Sequence, residues 1–124
     1  MKNFLLLFFL ILPLLFFGQK SEGLSFESTI YDFGNLSSNS EAVATFLFSN
    51  EAGTPIEIVK IHGGNHCIDI DSSSIKMYAP NEKGIITVIY DTDCKGPIRK
   101  TLSVFTSLKD SNTISLKLTG KISD

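Results

Sequence analysis

Residues 113–122, TISLKLTGKI, show the clearest alternation of polar and apolar side chains in the chain. Successive side chains of a β-strand point to opposite faces of a sheet, so Thr113, Lys117 and Lys121 share one face of this segment. The other face carries four apolar side chains and a glycine: Ile114, Leu116, Leu118, Gly120 and Ile122. One apolar and one polar face predict a strand that lies on a core on one side and meets water on the other.

The same period of two recurs in the segments that precede this strand. It is regular in residues 41–49 and is broken at Val59 and Ile61, which predicts a β-bulge or a strand buried on both faces. Turn residues separate these segments about every 8 to 12 positions, as in sandwiches and barrels. No segment after residue 23 has the period of a long amphipathic helix. Residues 24–124 are therefore predicted to form a single all-β domain, an immunoglobulin-like antiparallel β-sandwich of about seven strands.

The first part of the chain differs in composition from the rest. Lys2 precedes an uninterrupted apolar run of 14 residues, 4–17. That length suits the apolar core of a signal peptide, whereas a bilayer span needs about 20 residues. Residues 1–23 are thus predicted to be a signal peptide that is cleaved after Gly18 or Gly23, with an uncleaved N-terminal anchor as the alternative. Cleavage implies an exported protein that is periplasmic, outer-surface or secreted, with no membrane span after the leader is removed.

The charged residues exclude one class of partner. The formal net charge is −2 at pH 7, and the charges are scattered singly along the chain. Without a basic cluster to neutralise a phosphate backbone, no nucleic-acid partner is expected.

Short motifs then occur in an order that is characteristic of a family. They are Tyr31-Asp32-Phe33-Gly34, Phe46-Leu47-Phe48-Ser49-Asn50, Pro55-Ile56-Glu57-Ile58, Gly96-Pro97 and Leu116-Lys117-Leu118-Thr119-Gly120. In this order the chain resembles a family of secreted bacterial domains of unknown function, numbered fifteen seventy-three, over Leu24 to Ile122. The resemblance implies an immunoglobulin-type sandwich related to ciliary and sperm-protein modules, and it implies no activity.

The chain departs from this family in two places. The family commonly has Cys-Gly-Cys after the third strand, where this chain has Asn65-His66-Cys67-Ile68, so a paired-thiol function is not carried over. The family's Pro-Gly turn is Pro80-Asn81 here. Asparagine tolerates a left-handed backbone better than most residues, so the turn is still predicted.

Asp32, Phe33 and Gly34 resemble the magnesium motif of kinases, but the chain lacks the other kinase motifs. The interpretation is structural. A tight turn is predicted, in which Gly34 takes a positive φ and Phe33 closes one end of the core.

Cys67 and Cys94 are the only cysteines. In an exported protein an even number of cysteines indicates a disulfide first, with two free thiols as the alternative. If the strands run antiparallel in turn, both residues lie at the same pole of the sandwich, so a Cys67–Cys94 bridge is predicted. His62 and His66 could join the two cysteines in a zinc or copper site, together with Asp69 and Asp71. Their spacing matches no established zinc pattern, so neither a metal nor another cofactor is predicted.

No catalytic residues are predicted. The serines have no nucleophile-elbow context, and nothing beside Asp69 or Asp71 would raise a carboxyl pKa for acid–base chemistry. The leading hypothesis is an exported non-catalytic module, structural or protein-binding, that meets an unknown envelope protein through its strand edges or loops. The alternative is a metal-binding or redox accessory domain that uses the His62/His66/Cys67/Cys94 pole. The oligomeric state is left open.

Overall fold

The computed structural model describes residues 23–109 and 112–123, so the predicted leader lies, but for Gly23, outside the described residues. The described residues form nine strands and one short 3-10 turn, Ser72–Ser74. The strands are β1 Leu24–Phe26, β2 Ile30–Ser37, β3 Val43–Asn50, β4 Ile56–His62, β5 Ile68–Ile70, β6 Met77–Tyr78, β7 Lys83–Tyr90, β8 Gly96–Thr106 and β9 Thr113–Ser123. The all-β prediction is confirmed. The strands β5 and β6, with three and two residues, are too short to show a period in the sequence.

The strands form two sheets that pack face to face. One is four-stranded in the order β1-β3-β7-β5, and the other is five-stranded in the order β2-β9-β8-β4-β6. The prediction of an antiparallel sandwich holds for every named pairing but one, since β2 runs parallel to β9. Parallel and antiparallel ladders share the same period of two, so alternation alone does not reveal the direction of a neighbouring strand.

The core lies between the two sheets. Leu116 and Leu118 of β9 are fully buried, and so are Leu102 and Val104 of β8, as the alternation predicted. Phe46, Ile86 and Val88 of the four-stranded sheet are buried opposite them, and Ile56, Ile58 and Tyr78 extend the core within the five-stranded sheet. The predicted bulge is also present, because the pairing of β4 with β8 shifts between Ile58 and Lys60.

The prediction of a tight turn at Asp32, Phe33 and Gly34 is wrong in one respect, because these residues lie within β2. Gly34 does take a positive φ, 70°, but at an irregularity in the pairing of β2 with β9. The Gly34 N–H donates to Asp32 Oδ1 at 2.8 Å. On β9, a Cβ at Gly120 would lie 2.9 Å from the Gly34 carbonyl oxygen. The close approach of two backbones therefore replaces the expected turn, while Phe33 packs against the core as predicted.

The turn before β7 forms as predicted, with Asn81 at φ 69°. The Glu82 carboxylate closes this turn by accepting from the Ala79 N–H at 2.8 Å and from Lys76 Nζ at 2.9 Å. The hydrogen bond from Lys76 lowers the pKa of Glu82, and the same bond raises the pKa of Lys76. Both groups are solvent-exposed, so this ion pair orders the turn more than it stabilises the fold.

Asn50 joins three segments at the end of β3. Its side chain is fully buried, and Nδ2 donates to the Thr54 carbonyl at 2.9 Å and to the Tyr78 carbonyl at 3.0 Å. Oδ1 accepts from the Ala52 N–H at 2.8 Å. The buried amide is tolerated because Nδ2 and Oδ1 of Asn50 both have hydrogen-bond partners. Through these bonds Asn50 holds the 51–54 turn against β6.

Candidate functional site

The two cysteines meet at one pole of the sandwich. Cys67 precedes β5 and Cys94 precedes β8, and a disulfide joins them with 6.1 Å between their Cα atoms. The predicted bridge is therefore present. Backbone hydrogen bonds hold both loops to the end of β7, because the Asp91 N–H donates to the Cys67 carbonyl and the Cys94 N–H donates to the Asp91 carbonyl.

The pole brings together only part of the predicted metal-ligand set. The ligand atoms of His66, Cys67 and Cys94 lie within 4.8 Å of one another. His62 lies apart from this group at the end of β4, where it pairs with Ser103 of β8. Metals bind cysteine as the thiolate, so the disulfide withholds two of the three ligands. The cluster could hold a metal only after reduction.

The aspartates near the pole have ordinary structural surroundings. Asp69 lies in β5 opposite Ile89 of β7. Asp71 caps the 3-10 turn, with Oδ1 accepting from the Ser73 N–H at 2.9 Å, and this bond lowers the pKa of Asp71. A lowered pKa is the opposite of what a general acid at neutral pH requires.

An open groove of about 430 Å³ lies beside the disulfide. It is lined by carboxylate, imidazole and aromatic side chains, including Glu41, His66, Asp69, Tyr90 and Asp91. The groove runs onto the outer face of the four-stranded sheet at Ile89, which is also among its lining residues.

The outer face of the four-stranded sheet carries exposed apolar side chains. Four aliphatic side chains on β3 and β7 point into solvent: Val43, Leu47, Ile85 and Ile89, which are 39%, 44%, 45% and 48% exposed. They form two cross-strand pairs, Val43 opposite Ile89 and Leu47 opposite Ile85, with the pair Thr45–Thr87 between them. We call these six residues the apolar face.

Single exposed aliphatic residues are common on soluble proteins, but contiguous ones mark interaction surfaces. The sequence contains a signal for this face that a period of two alone does not show. Residues 85–89 read Ile-Ile-Thr-Val-Ile, which is apolar on both faces of the strand. Such a run is typical of a strand that is covered on both sides.

The strand edges are less suited to recruiting a partner strand. Three edge strands are short, with three residues in β1, three in β5 and two in β6. The fourth, β2, has eight residues but is interrupted at Gly34. Short and bulged edges discourage the addition of a strand, so the geometry favours a face over an edge as a binding surface.

The described ranges, 23–109 and 112–123, contain no helix that is long and apolar enough to cross a membrane.

Comparison with known proteins agrees with this architecture. Residues 24–122 match a family described as protein of unknown function (DUF1573). No curated protein matches the chain significantly. A protein of unknown function from Porphyromonas gingivalis W83 has a TM-score of 0.69 at 13% identity, over 80% of this chain and 46% of that one. The chain thus spans less than half of that protein's length.

Two further solved structures are single domains of similar size. The ASH/PapD-like domain 7 of human CEP192 has a TM-score of 0.62 at 9% identity, over 84% of this chain and 87% of that one. WR4, an MSP family member from C. elegans, has a TM-score of 0.60 at 10% identity, over 81% of this chain and 99% of that one. At these identities the likeness concerns the fold alone.

Proposed function

Since the chain belongs to the family described as protein of unknown function (DUF1573), we propose that it is an exported, non-catalytic β-sandwich module that binds a protein partner in the cell envelope. The signal peptide would be removed by cleavage after Gly18 or Gly23. The apolar face would be the binding surface.

The observation that carries this proposal is the exposure of the paired aliphatic side chains on β3 and β7. Complete burial of a Val, Leu or Ile side chain contributes about 1.5–3 kcal/mol, and these four are already roughly half covered. Covering the rest would contribute about 1 kcal/mol each, or about 4 kcal/mol from this side of an interface. That gain favours a partner over water.

The four groups of the described residues whose pKa values are shifted have structural roles. The shifted groups are Asp71, Lys76, Tyr78 and Glu82, all within the 71–82 segment. Burial raises the pKa of Tyr78, whose hydroxyl donates to the Ser74 carbonyl at 2.8 Å. Catalytic groups show perturbed pKa values beside a cleft, whereas these four hold a turn and a strand together.

Site-specific photo-crosslinking in cells that export the full chain tests the proposal. A photoreactive residue at Leu47 should give a discrete cross-linked protein product. The same residue at Ser115, exposed on the outer face of the other sheet, is the control and should give none. Equal cross-linking from both positions, or none from Leu47, would contradict the assignment of the apolar face.

A second candidate function is a metal-binding or redox accessory domain, favoured by the position of His66 beside both sulfur atoms. Alkylation and mass spectrometry before and after reduction would count free thiols in the exported protein. Two free thiols together with stoichiometric zinc or copper would support this candidate. A stable disulfide in the exported protein, with thiols appearing only after reduction, would exclude a cysteine-ligated metal.

A further inference from the structure

The outward-facing residues of β3 and β7 form two rows with a symmetric pattern. Along β7 and the residue that follows it, the row reads Lys83, Ile85, Thr87, Ile89 and Asp91. The antiparallel row on β3 and the residues before it reads Ser49, Leu47, Thr45, Val43 and Glu41. Both rows have threonine at the centre and an aliphatic residue on each side. A basic residue ends one side, and two acidic residues end the other.

This pattern is self-complementary under a two-fold axis. We propose that the partner of the apolar face is a second copy of this chain. The two copies are related by a two-fold axis that lies midway between their apolar faces, runs perpendicular to the strands and passes beside Thr45 and Thr87. This proposal rests on the proposed function of the apolar face as a docking surface. The operation turns one face end for end on the other, as an isologous contact requires.

Under this operation aliphatic residues meet aliphatic residues. Ile85 of one copy lies over Ile89 of the other, and Leu47 lies over Val43. Thr87 meets its own symmetry mate. Sheets that pack face to face in this way lie about 10 Å apart.

The charges at the two ends of the β7 row also match. Lys83 and Asp91 are each four residues from Thr87, or about 14 Å along the strand in opposite directions. The two-fold therefore places Lys83 of each copy opposite Asp91 of the other, with Glu41 beside it. Within residues 23–109 and 112–123 the ion pair that forms is Lys76–Glu82, so the Lys83 ammonium is available to a partner.

The same charges argue against a lipid surface as the occupant. Asp69, Glu41 and Asp91 surround the Ile89 end of the face. Carboxylates at this position would be repelled by anionic headgroups and would be costly to bury in hydrocarbon. A second copy instead supplies the complementary lysine.

The size of the face predicts a weak dimer. Four strands are about 19 Å wide and the rows are about 27 Å long, which gives a planar footprint of about 500 Å². A standard stable interface covers about 800 Å² per partner. Association should therefore depend on concentration and fall with added salt.

Sedimentation equilibrium tests this with protein purified after export from cells that express the full chain. The wild type should dimerise reversibly between micromolar and millimolar concentrations. Lys83→Glu should weaken the dimer at least tenfold, and adding Asp91→Lys should recover most of the loss by exchanging the two charges. Lys121→Glu makes the same charge change on the opposite sheet and should have no effect. Thermal unfolding of each variant would show whether it is folded.

Two outcomes would overturn the inference. One is a wild type that stays monomeric throughout this range. The other is a dimer that responds equally to Lys83→Glu and Lys121→Glu. If the chain stays monomeric while Leu47 still cross-links to a different protein, the self-association fails and the proposed function stands. If Leu47 cross-links to nothing, both fail.

Discussion

Replacement of Asn50 with alanine tests how the end of β3 is held. The substitution removes three hydrogen bonds, to the carbonyls of Thr54 and Tyr78 and from the N–H of Ala52. Bonds of this kind contribute about 1 kcal/mol each, and a buried group left without a partner costs about 1–3 kcal/mol. The Tyr78 carbonyl would be left without its Asn50 donor beside a buried side chain, whereas water could reach the Thr54 carbonyl on its exposed residue. We expect a loss of about 3 kcal/mol in the free energy of unfolding.

Urea denaturation followed by far-ultraviolet circular dichroism would measure this loss. For a domain of this size it corresponds to a decrease in Tm of roughly 12–24 °C. Asn35→Ala, at an exposed position of β2, is the matched control and should change the free energy of unfolding by less than about 0.5 kcal/mol. Asn50→Asp retains the acceptor for Ala52 but sets a carboxylate against two carbonyls, so it should be at least as destabilising as Asn50→Ala. A loss below about 1 kcal/mol for Asn50→Ala would refute the reasoning.

Three further predictions concern packing, the disulfide and pH. A Cβ at Gly84 would lie 2.6 Å from a ring carbon of Tyr78, so Gly84→Ala should lower the free energy of unfolding by about 1–3 kcal/mol. Urea denaturation would measure this loss, and an unchanged urea midpoint would contradict the close packing of Gly84 against Tyr78. The Cys67→Ser/Cys94→Ser double variant opens a loop with a sequence separation of 27, so it should lose about 3.5 kcal/mol by the same measurement. A loss below about 1 kcal/mol would show that the bridge constrains the unfolded chain little. The pKa of Glu82 is lowered from the ordinary value of 4.5, chiefly by the hydrogen bond from Lys76. The contribution of Glu82 to the free energy of unfolding is therefore present above pH 4.5 and is lost as the pH falls through the pKa of the folded state. Tm measured against pH should therefore fall less steeply in acid for Glu82→Gln than for the wild type. The same decrease of Tm in acid for both proteins would show that ionised Glu82 does not contribute to stability.

Several features of the fold could be predicted because they depend on neighbouring residues in the chain. The buried faces of β8 and β9 follow from alternation, since successive side chains of a strand point to opposite sides. The bulge near Val59 and the left-handed Asn81 follow from a break in the period and from turn chemistry. The disulfide followed from export, an even number of cysteines and the alternation of loops between two poles.

The candidate site was predicted less well. The cysteine pole was located, but His62 was grouped with residues from which the structure separates it. The apolar face was not predicted, because the period of two in residues 41–49 does not show that Val43 and Leu47 lie beside Ile89 and Ile85 of β7.

By itself, the sequence determined that the domain is all-β and which sides of β8 and β9 face the core. These properties depend on backbone geometry and on side chains a few positions apart. Only the tertiary structure decided that β2 runs parallel to β9, and that Gly34 lies in a strand against Gly120. It alone aligned the rows on β3 and β7, with Lys83 at one end and Asp91 at the other. Register between strands distant in sequence determines these juxtapositions, and no local pattern records that register.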